Sequence, residues 1–413
     1  MRILLVGEVN SDNLGDRAIY VSLKQLFESD GYEVGGWDLS RNTPGIQDPE
    51  SSSVESVAPH RRGKNSQTPG LRIKGRILQR LDTSPHWIRK AAVYLSKKRT
   101  ARRMRTAWAS ELQNCDLVVF GGGALLSDND WSFPLALVNF SRAARAVGKP
   151  YVCVGCSTGS RYSAMGRRWL QEFLDHCQYV ALRDQLSLQG LHQLGEYRAD
   201  VYADSALCIG DFYPRDPARN AGTMGINVIA AARHHRLHQQ THSNYLRELS
   251  SFVQAIANGE AGPWQRVLLF STGDQQDYQA AKDLVAGLDL TDSSVEITAP
   301  EPGSTLAGLC ELIAGLDLVI STRMHAGIIA KSYRRPLIAI AWDEKIRGFC
   351  RMIGIEEDCL DIELFRGELL LQKVRKFAGA GLKQADEVEE RVSELKAVLM
   401  KVRKHVEETK VEC

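Results

Sequence analysis

At 413 residues the chain exceeds one ordinary domain, and about 100 to 200 residues per domain suggests two. A hydrophobic fraction of 44% with 25% charged residues supplies sizeable cores and excludes general disorder. Its 52 basic and 50 acidic residues nearly cancel, which excludes a dedicated nucleic-acid binder and leaves any electrostatic message local.

The chain opens with Met1-Arg2-Ile3-Leu4-Leu5-Val6-Gly7, a buried strand running into a turn, with no apolar stretch of signal-peptide length before a cleavage site. No run approaches the roughly 20 apolar residues needed to span a bilayer, so a cytoplasmic protein is expected. Nine cysteines are scattered, with Cys115, Cys153, Cys208 and Cys310 in apolar runs, as suits a reducing compartment. Cys153-x-x-Cys156 has redox spacing but falls at an apparent strand, and core packing is the reading.

Short β-branched runs alternate with helical stretches. Strands are read at Ile3 to Val6, Tyr32 to Trp37, Leu117 to Phe120, Tyr151 to Val154 and Tyr179 to Leu182. A second set follows at Met224 to Ile229, Arg266 to Phe270, Val295 to Thr298, Leu318 to Ile320 and Leu337 to Ala341. Strands this apolar are buried on both faces, as in parallel sheets covered by helices, so the doubly wound α/β pattern is expected twice. Residues 1–213 form the expected N-terminal Rossmann-like domain, and the Pro- and Gly-bearing stretch 214–222 the linker. Residues 223–380 form the C-terminal Rossmann-like domain, and 381–413 a helix whose Val388, Val392, Leu395, Val398, Leu399 and Val402 make an apolar stripe.

Between Arg61 and Arg105, within an insertion at about 59–105, a run of Lys and Arg faces only Asp82. Interleaved apolar residues such as Ile73, Ile77, Trp87 and Leu95 allow basic amphipathic helices. These could dock on an anionic membrane surface or grip a phosphorylated substrate; a solvated insertion is the equal alternative.

Chemistry is expected where strands end in small-residue turns. The first strand leads into Gly7-Glu8-Val9-Asn10-Ser11-Asp12-Asn13-Leu14-Gly15-Asp16, and the N–H groups of the helix it opens favour an anion or a sugar hydroxyl. The turn lacks G-x-G-x-x-G, so a dinucleotide is not indicated; Asp16 reads as a first-turn acid or as a catalytic base. Gly121-Gly122-Gly123, followed by Asp128 and Asp130, permits a second close backbone approach. Arg183-Asp184 puts a guanidinium at the end of another strand. The richest segment is Ser321-Thr322-Arg323-Met324-His325-Ala326, where Arg323 can fork onto a carboxylate or phosphate and His325 can move protons near neutral pH. No His or Cys cluster has metal spacing, and His234-His235-x-x-His238 reads as surface.

These segments resemble the polysaccharide pyruvyl transferases. The resemblance rests on Asn13-Leu14-Gly15-Asp16 with Ala18-Ile19, Gly121-Gly122-Gly123-Ala124-Leu125-Leu126, Arg183-Asp184 with Ser187, Asp204-Ser205-Ala206, and Ser321 to Ala326. It implies a glycosyltransferase-B-like fold and transfer of pyruvate from phosphoenolpyruvate to two sugar hydroxyls, giving a cyclic ketal. The acceptor would be a polysaccharide or its lipid-linked precursor, with no cofactor, at the inner face of the membrane. By the same resemblance Arg183, Arg323 and His325 contact the donor. Ser11-Asp12-Asn13-Leu14 is poorer in glycine than the family pattern, and Gly155-Cys156-Ser157-Thr158-Gly159 lacks its common proline.

Phosphoenolpyruvate carries a carboxylate and a phosphate on adjacent atoms, so convergent cations are required, and Arg183, Arg323 and Lys345 can supply them. Ser321, Met324, Asn13, Gly15 and Gly121 to Gly123 complete the expected binding surface. His325 is the expected general acid and Asp16 the expected base. Two rival expectations are a nucleotide-sugar glycosyltransferase or epimerase on the same architecture, and a non-catalytic relative that binds an anionic glycan.

Overall fold

A computed structural model describes residues 1–9, 11, 13–45, 86–129, 131–213, 222–230, 238–303, 305–379, 381 and 384–411. Two mostly parallel sheets organise it. The first is built from β1 (Arg2–Gly7), β2 (Glu33–Asp38), β3 (Thr43–Pro44), β4 (Leu117–Gly121), β5 (Tyr151–Cys156), β6 (Val180–Leu182) and β7 (Asp200–Val201). Their order is β3-β2-β1-β4-β5-β6-β7. The second contains β8 (Thr223–Asn227), β9 (Arg266–Phe270), β10 (Glu296–Thr298), β11 (Leu318–Ser321), β12 (Leu337–Ala341) and β13 (Cys359–Asp361), in the order β10-β9-β8-β11-β12-β13. Among the described residues all strand pairings are parallel except β2 with β3, where Trp37 faces Pro44.

The helices are α1 (Leu14–Ser29), α2 (His86–Gln113), α3 (Ser132–Ala146), α4 (Ala164–Leu174), α5 (Gln185–His192), α6 (Ile209–Phe212) and α7 (Gln239–Ala257). They continue as α8 (Gln275–Ala286), α9 (Leu306–Ala314), α10 (Met324–Ser332), α11 (Glu344–Met352), α12 (Gly367–Gly379) and α13 (Val388–Val411). Strands β4, β5, β8, β11 and β12 are buried at every residue, the consequence of helices on both faces. The three strands β3, β7 and β13 are two or three residues long, too short for a periodic signal in the sequence.

Chain order reverses between β1 and β4 in the first sheet and between β8 and β11 in the second. Such reversals open a crevice at the carboxyl ends of the strands, the usual ligand position in open α/β sheets. One apolar cluster joins the two halves, bringing Ala18 and Ile19 of α1 together with Ala206, Ile209, Leu309 and Ile329. Helix α13 completes it: Val388, Val392, Leu395, Val398, Leu399 and Val402 are all buried. Its Lys396 pairs with Asp211 at 3.2 Å and its Lys401 with Asp200 at 2.7 Å, so the chain returns from the second half to the first.

Of the basic stretch, residues 61–85 lie outside the described residues, as do 214–221 of the expected linker, together with Asp130, His234 and His235. Helix α2 buries Trp108 and Leu112 in the first core, whereas Leu95 near its other end is exposed. Among the described residues no helix is long and apolar enough to cross a membrane. Cys153 and Cys156 both sit fully buried in β5. Neighbouring Cys156 and burial push the Cys153 thiol well above its ordinary value, which fits core packing.

Candidate active site

Three turns from the first half and one from the second meet at the crevice. In the first half, Asn13 caps α1 by accepting from the Gly15 N–H at 3.0 Å. Asp184 caps α5 through the Ser187 N–H at 2.6 Å, and Asp204 caps a short 3₁₀ turn, Ser205–Cys208, through the Ala206 N–H at 3.0 Å. In the second half α10 starts at Met324, where Arg323 supplies no side-chain cap. Its turn is held instead by Ser321 Oγ donating to the Arg323 carbonyl at 2.6 Å and Thr322 Oγ1 donating to the Asn227 carbonyl at 2.8 Å.

Asp204 is the centre of the arrangement. Its Oδ2 accepts from Arg183 Nη1 at 3.0 Å and lies 3.8 Å from His325 Nε2, so residues of the two halves share one carboxylate. At 3.8 Å the His325 contact is an ion-pair distance and not a hydrogen bond. Burial alone would raise the Asp204 carboxyl, but His325, Arg183 and the Ala206 N–H hold it down at about 2. Arg183 is itself buried, with Nη2 donating to Ser157 Oγ at 3.2 Å and Nε 3.8 Å from Asp184. Nε of Arg183 and Nε2 of His325 are both buried without a hydrogen-bond partner among the described residues. Polar nitrogens left so in a crevice favour an occupant that can accept from them.

Close approach explains Gly15. A β-carbon there would lie 2.3 Å from His325 Nδ1, so only glycine lets α1 of the first half touch the imidazole of the second. Leu14 N–H also donates across the crevice to the Thr272 carbonyl, at 3.4 Å. Asp16 is half-buried in the first turn of α1, accepts from Ser11 Oγ at 3.3 Å, and is close enough to help hold the charge on Arg183.

Arg323 is held by an acid of its own half. Its Nε and Nη2 reach Asp277 Oδ2 at 2.7 and 2.6 Å, and its N–H donates to Asn227 Oδ1 at 2.9 Å. Asp277 is fully buried on α8 and also accepts from the Ala230 N–H at 2.8 Å. Burial raises its carboxyl, and Arg323 works against that rise. The guanidinium is thereby oriented by a rigid acid. Met324 follows, half-buried, and Lys345 is half-buried in the first turn of α11. Trp342 Nε1 donates to the Thr322 carbonyl at 2.8 Å, tying the start of α11 to the Arg323 turn.

The triple glycine divides by role. β-Carbons on Gly121 and Gly122 would strike Leu5 and Leu23, and Ile19, respectively, so these two serve packing of α1 on the sheet. Gly123, at φ +65°, faces Glu8 Oε2. Asp128 is buried and accepts from Ser163 N–H and Oγ, both at 2.6 Å. His238 stands just before α7. Among the described residues no group of His, Cys, Asp and Glu could hold a metal ion.

Asp204, Asp277, Asn227 and Glu8 received no role from the sequence. Asp204 stood inside a quoted motif, but its partners Arg183 and His325 are 21 and 121 positions away and no spacing links them. Asp277 is 46 positions from Arg323, and no local pattern in the sequence links the two.

The sequence model of the family described as polysaccharide pyruvyl transferase matches residues 13–344, from the α1 cap to the start of α11. The chain belongs to that family. This membership makes it a transferase of polysaccharide modification. The amylovoran biosynthesis protein AmsJ of Erwinia amylovora is 23% identical over 416 residues, covering 95% of each chain. Among solved structures, a putative UDP-N-acetylglucosamine 2-epimerase from Listeria monocytogenes superposes with a TM-score of 0.57 at 10% identity, covering 98% of this chain and 97% of that one. The UDP-GlcNAc 2-epimerase of Neisseria meningitidis, bound to UDP-GlcNAc, gives 0.50 at 9% identity, covering 97% and 99%. These likenesses show the fold, which is glycosyltransferase-B-like, and nothing of the substrate.

Proposed function

We propose that the transferase moves pyruvate from phosphoenolpyruvate onto two hydroxyls of a sugar in a polysaccharide or its lipid-linked precursor, forming a ketal. The observation that carries this reading is the meeting of Arg183 and His325, from opposite halves, on Asp204, each with a buried nitrogen left unsatisfied. A donor bearing a carboxylate and a phosphate needs cations on more than one side. Arg183, Arg323 and Lys345 are proposed to hold it, with Ser321, Met324, Asn13 and Gly15 shaping the walls. His325 protonates the methylene carbon, which makes the adjacent carbon electrophilic, and Asp16 takes a proton from an acceptor hydroxyl. Phosphate leaves as the second hydroxyl closes the ketal. No cofactor is required by this chemistry. The basic stretch from Arg61 to Arg105 is proposed to hold the enzyme at an anionic membrane surface carrying the acceptor.

The test is thermal stabilisation by phosphoenolpyruvate against a panel of nucleotide sugars, together with phosphate release in the presence of glycosides. His325→Ala should retain much of the donor stabilisation while turnover falls roughly 100- to 10,000-fold. Stabilisation by a nucleotide sugar alone points to an epimerase or glycosyltransferase, and binding without phosphate release points to a glycan-binding relative. Near-normal turnover by His325→Ala removes the general-acid assignment.

A further inference from the structure

Ketal formation takes two hydroxyl protons from the acceptor, and the reading above gives a recipient to only one of them. The first half offers a second carboxyl in the same crevice. Glu8 follows the last residue of β1, at the point where chain order reverses between β1 and β4. It stands between the β2–β3 turn and the triple-glycine turn. Ser40 Oγ donates to its Oε1 at 3.2 Å, and its Oε2 faces the backbone of Gly123, where a β-carbon would stand 3.4 Å away. Glu8 lies on the same β1–α1 turn as Ser11, whose Oγ donates to Asp16 at 3.3 Å, and Asp16 acts electrostatically on both Glu8 and Arg183.

We propose that Glu8 is a catalytic base of this transferase, contacting the acceptor sugar and receiving the proton of one of its two ketal-forming hydroxyls. The proposal rests on the pyruvyl-transfer reading. In the balanced sequence, His325 gives a proton to the methylene carbon, which becomes the methyl group. The first hydroxyl oxygen bonds to the neighbouring carbon as its O–H proton passes to one carboxylate. The second hydroxyl forms the other C–O bond, the C–O bond to phosphate breaks, and its proton passes through the second carboxylate to the departing phosphate. One hydroxyl proton thus restores His325 and the other leaves as hydrogen phosphate. No oxidant or further reactant enters.

The surroundings suit Glu8 to this work. Burial, then the charge of Asp16 and more weakly Asp38 of β2, raise its carboxyl to about 7, while the Ser40 hydrogen bond and Lys97 of α2 oppose the rise. A base titrating near neutral pH combines availability with proton affinity, which an ordinary surface glutamate lacks. The same rise has a cost in stability. A carboxyl with a raised folded value binds its proton more tightly folded than unfolded, so stability is lost as pH rises from about 4.5 to about 7.

The experiment compares the full-length wild type with Glu8→Gln from pH 5 to 9. It measures phosphate release from phosphoenolpyruvate with a panel of p-nitrophenyl hexopyranosides, melting temperature, and stabilisation by phosphoenolpyruvate alone. Wild-type kcat/KM for the glycoside should fall about tenfold per pH unit below about 7. Glu8→Gln should lose that limb, be roughly 100-fold or more slower at pH 8, and keep the wild-type stabilisation by phosphoenolpyruvate. It should also melt above wild type at pH 8 and with it near pH 5, a sign opposite to that of a residue held only for structure. Wild-type turnover with Glu8→Gln equally fast, or with the acid limb intact, overturns the assignment of Glu8 alone. A wild type that releases no phosphate with any glycoside overturns the pyruvyl-transfer reading and the role of Glu8 with it.

Discussion

Asp204→Asn is the sharpest probe of the junction between the halves, because a near-isosteric change removes one charge that both Arg183 and His325 use. Holding the carboxyl at about 2 against an ordinary value of 3.8 corresponds to about 2 to 3 kcal/mol in favour of the ionised folded protein. Losing one partner of a buried pair typically costs about 3 to 5 kcal/mol, because the other charge is left without compensation. Asp184, 3.8 Å from Arg183 Nε, offsets part of that. We therefore expect a loss of about 3 kcal/mol at pH 7, which for a chain of this length unfolding as one unit is a fall in melting temperature of roughly 3 to 4 °C. The carboxyl's folded value is depressed, so its contribution is full above about pH 4 and is lost as pH falls toward 2. Melting curves of wild type and Asp204→Asn at pH 7, 5, 4 and 3 should converge from pH 4 downward. Equal midpoints at pH 7, or a gap undiminished at pH 3, would refute the placement of this carboxylate as an ionised junction.

Arg323→Lys keeps the charge but loses the planar fork that Asp277 orients, so stabilisation by phosphoenolpyruvate should correspond to roughly 10- to 100-fold weaker binding; wild-type affinity would contradict a fork-bound donor. Gly15→Ala introduces a β-carbon 2.3 Å from His325 Nδ1, and phosphate release should drop about 100-fold with the donor still bound; unchanged turnover would mean the imidazole position is not critical. Association of the full chain with anionic vesicles should weaken steeply from low to high salt, each cation near the surface contributing about 1 kcal/mol; equal binding at both salts removes membrane docking by the basic stretch.

The two-sheet plan was legible in the sequence because parallel strands covered on both faces must be apolar throughout. Runs such as Leu117 to Phe120 and Leu337 to Ala341 therefore announce themselves, and the latter is reproduced residue for residue by β12. The stripe from Val388 to Val402 likewise declared a helix with one buried face. Strands β3, β7 and β13 carry too few residues to show a period, and only pairing at the sheet edges defines them. Local chemistry also named Arg183, Arg323, His325 and Asp16 as polar residues at strand ends.

What the sequence determined by itself, then, was the long strands and helices, and which polar side chains stand at their ends, since both follow from neighbours within a few residues. Tertiary structure alone decided what those side chains face. The return of α13 and the apolar cluster around α1 and α10 bring Asp204 to His325 across 121 positions. Packing of α8 on its sheet gives Arg323 its acid at Asp277, and the β2–β3 turn meeting the triple glycine sets Glu8 between Ser40 and Gly123. The physical reason is that charge compensation and burial act through space. A carboxylate is held at about 2, or raised to about 7, by groups that only the folded chain brings within a few ångströms.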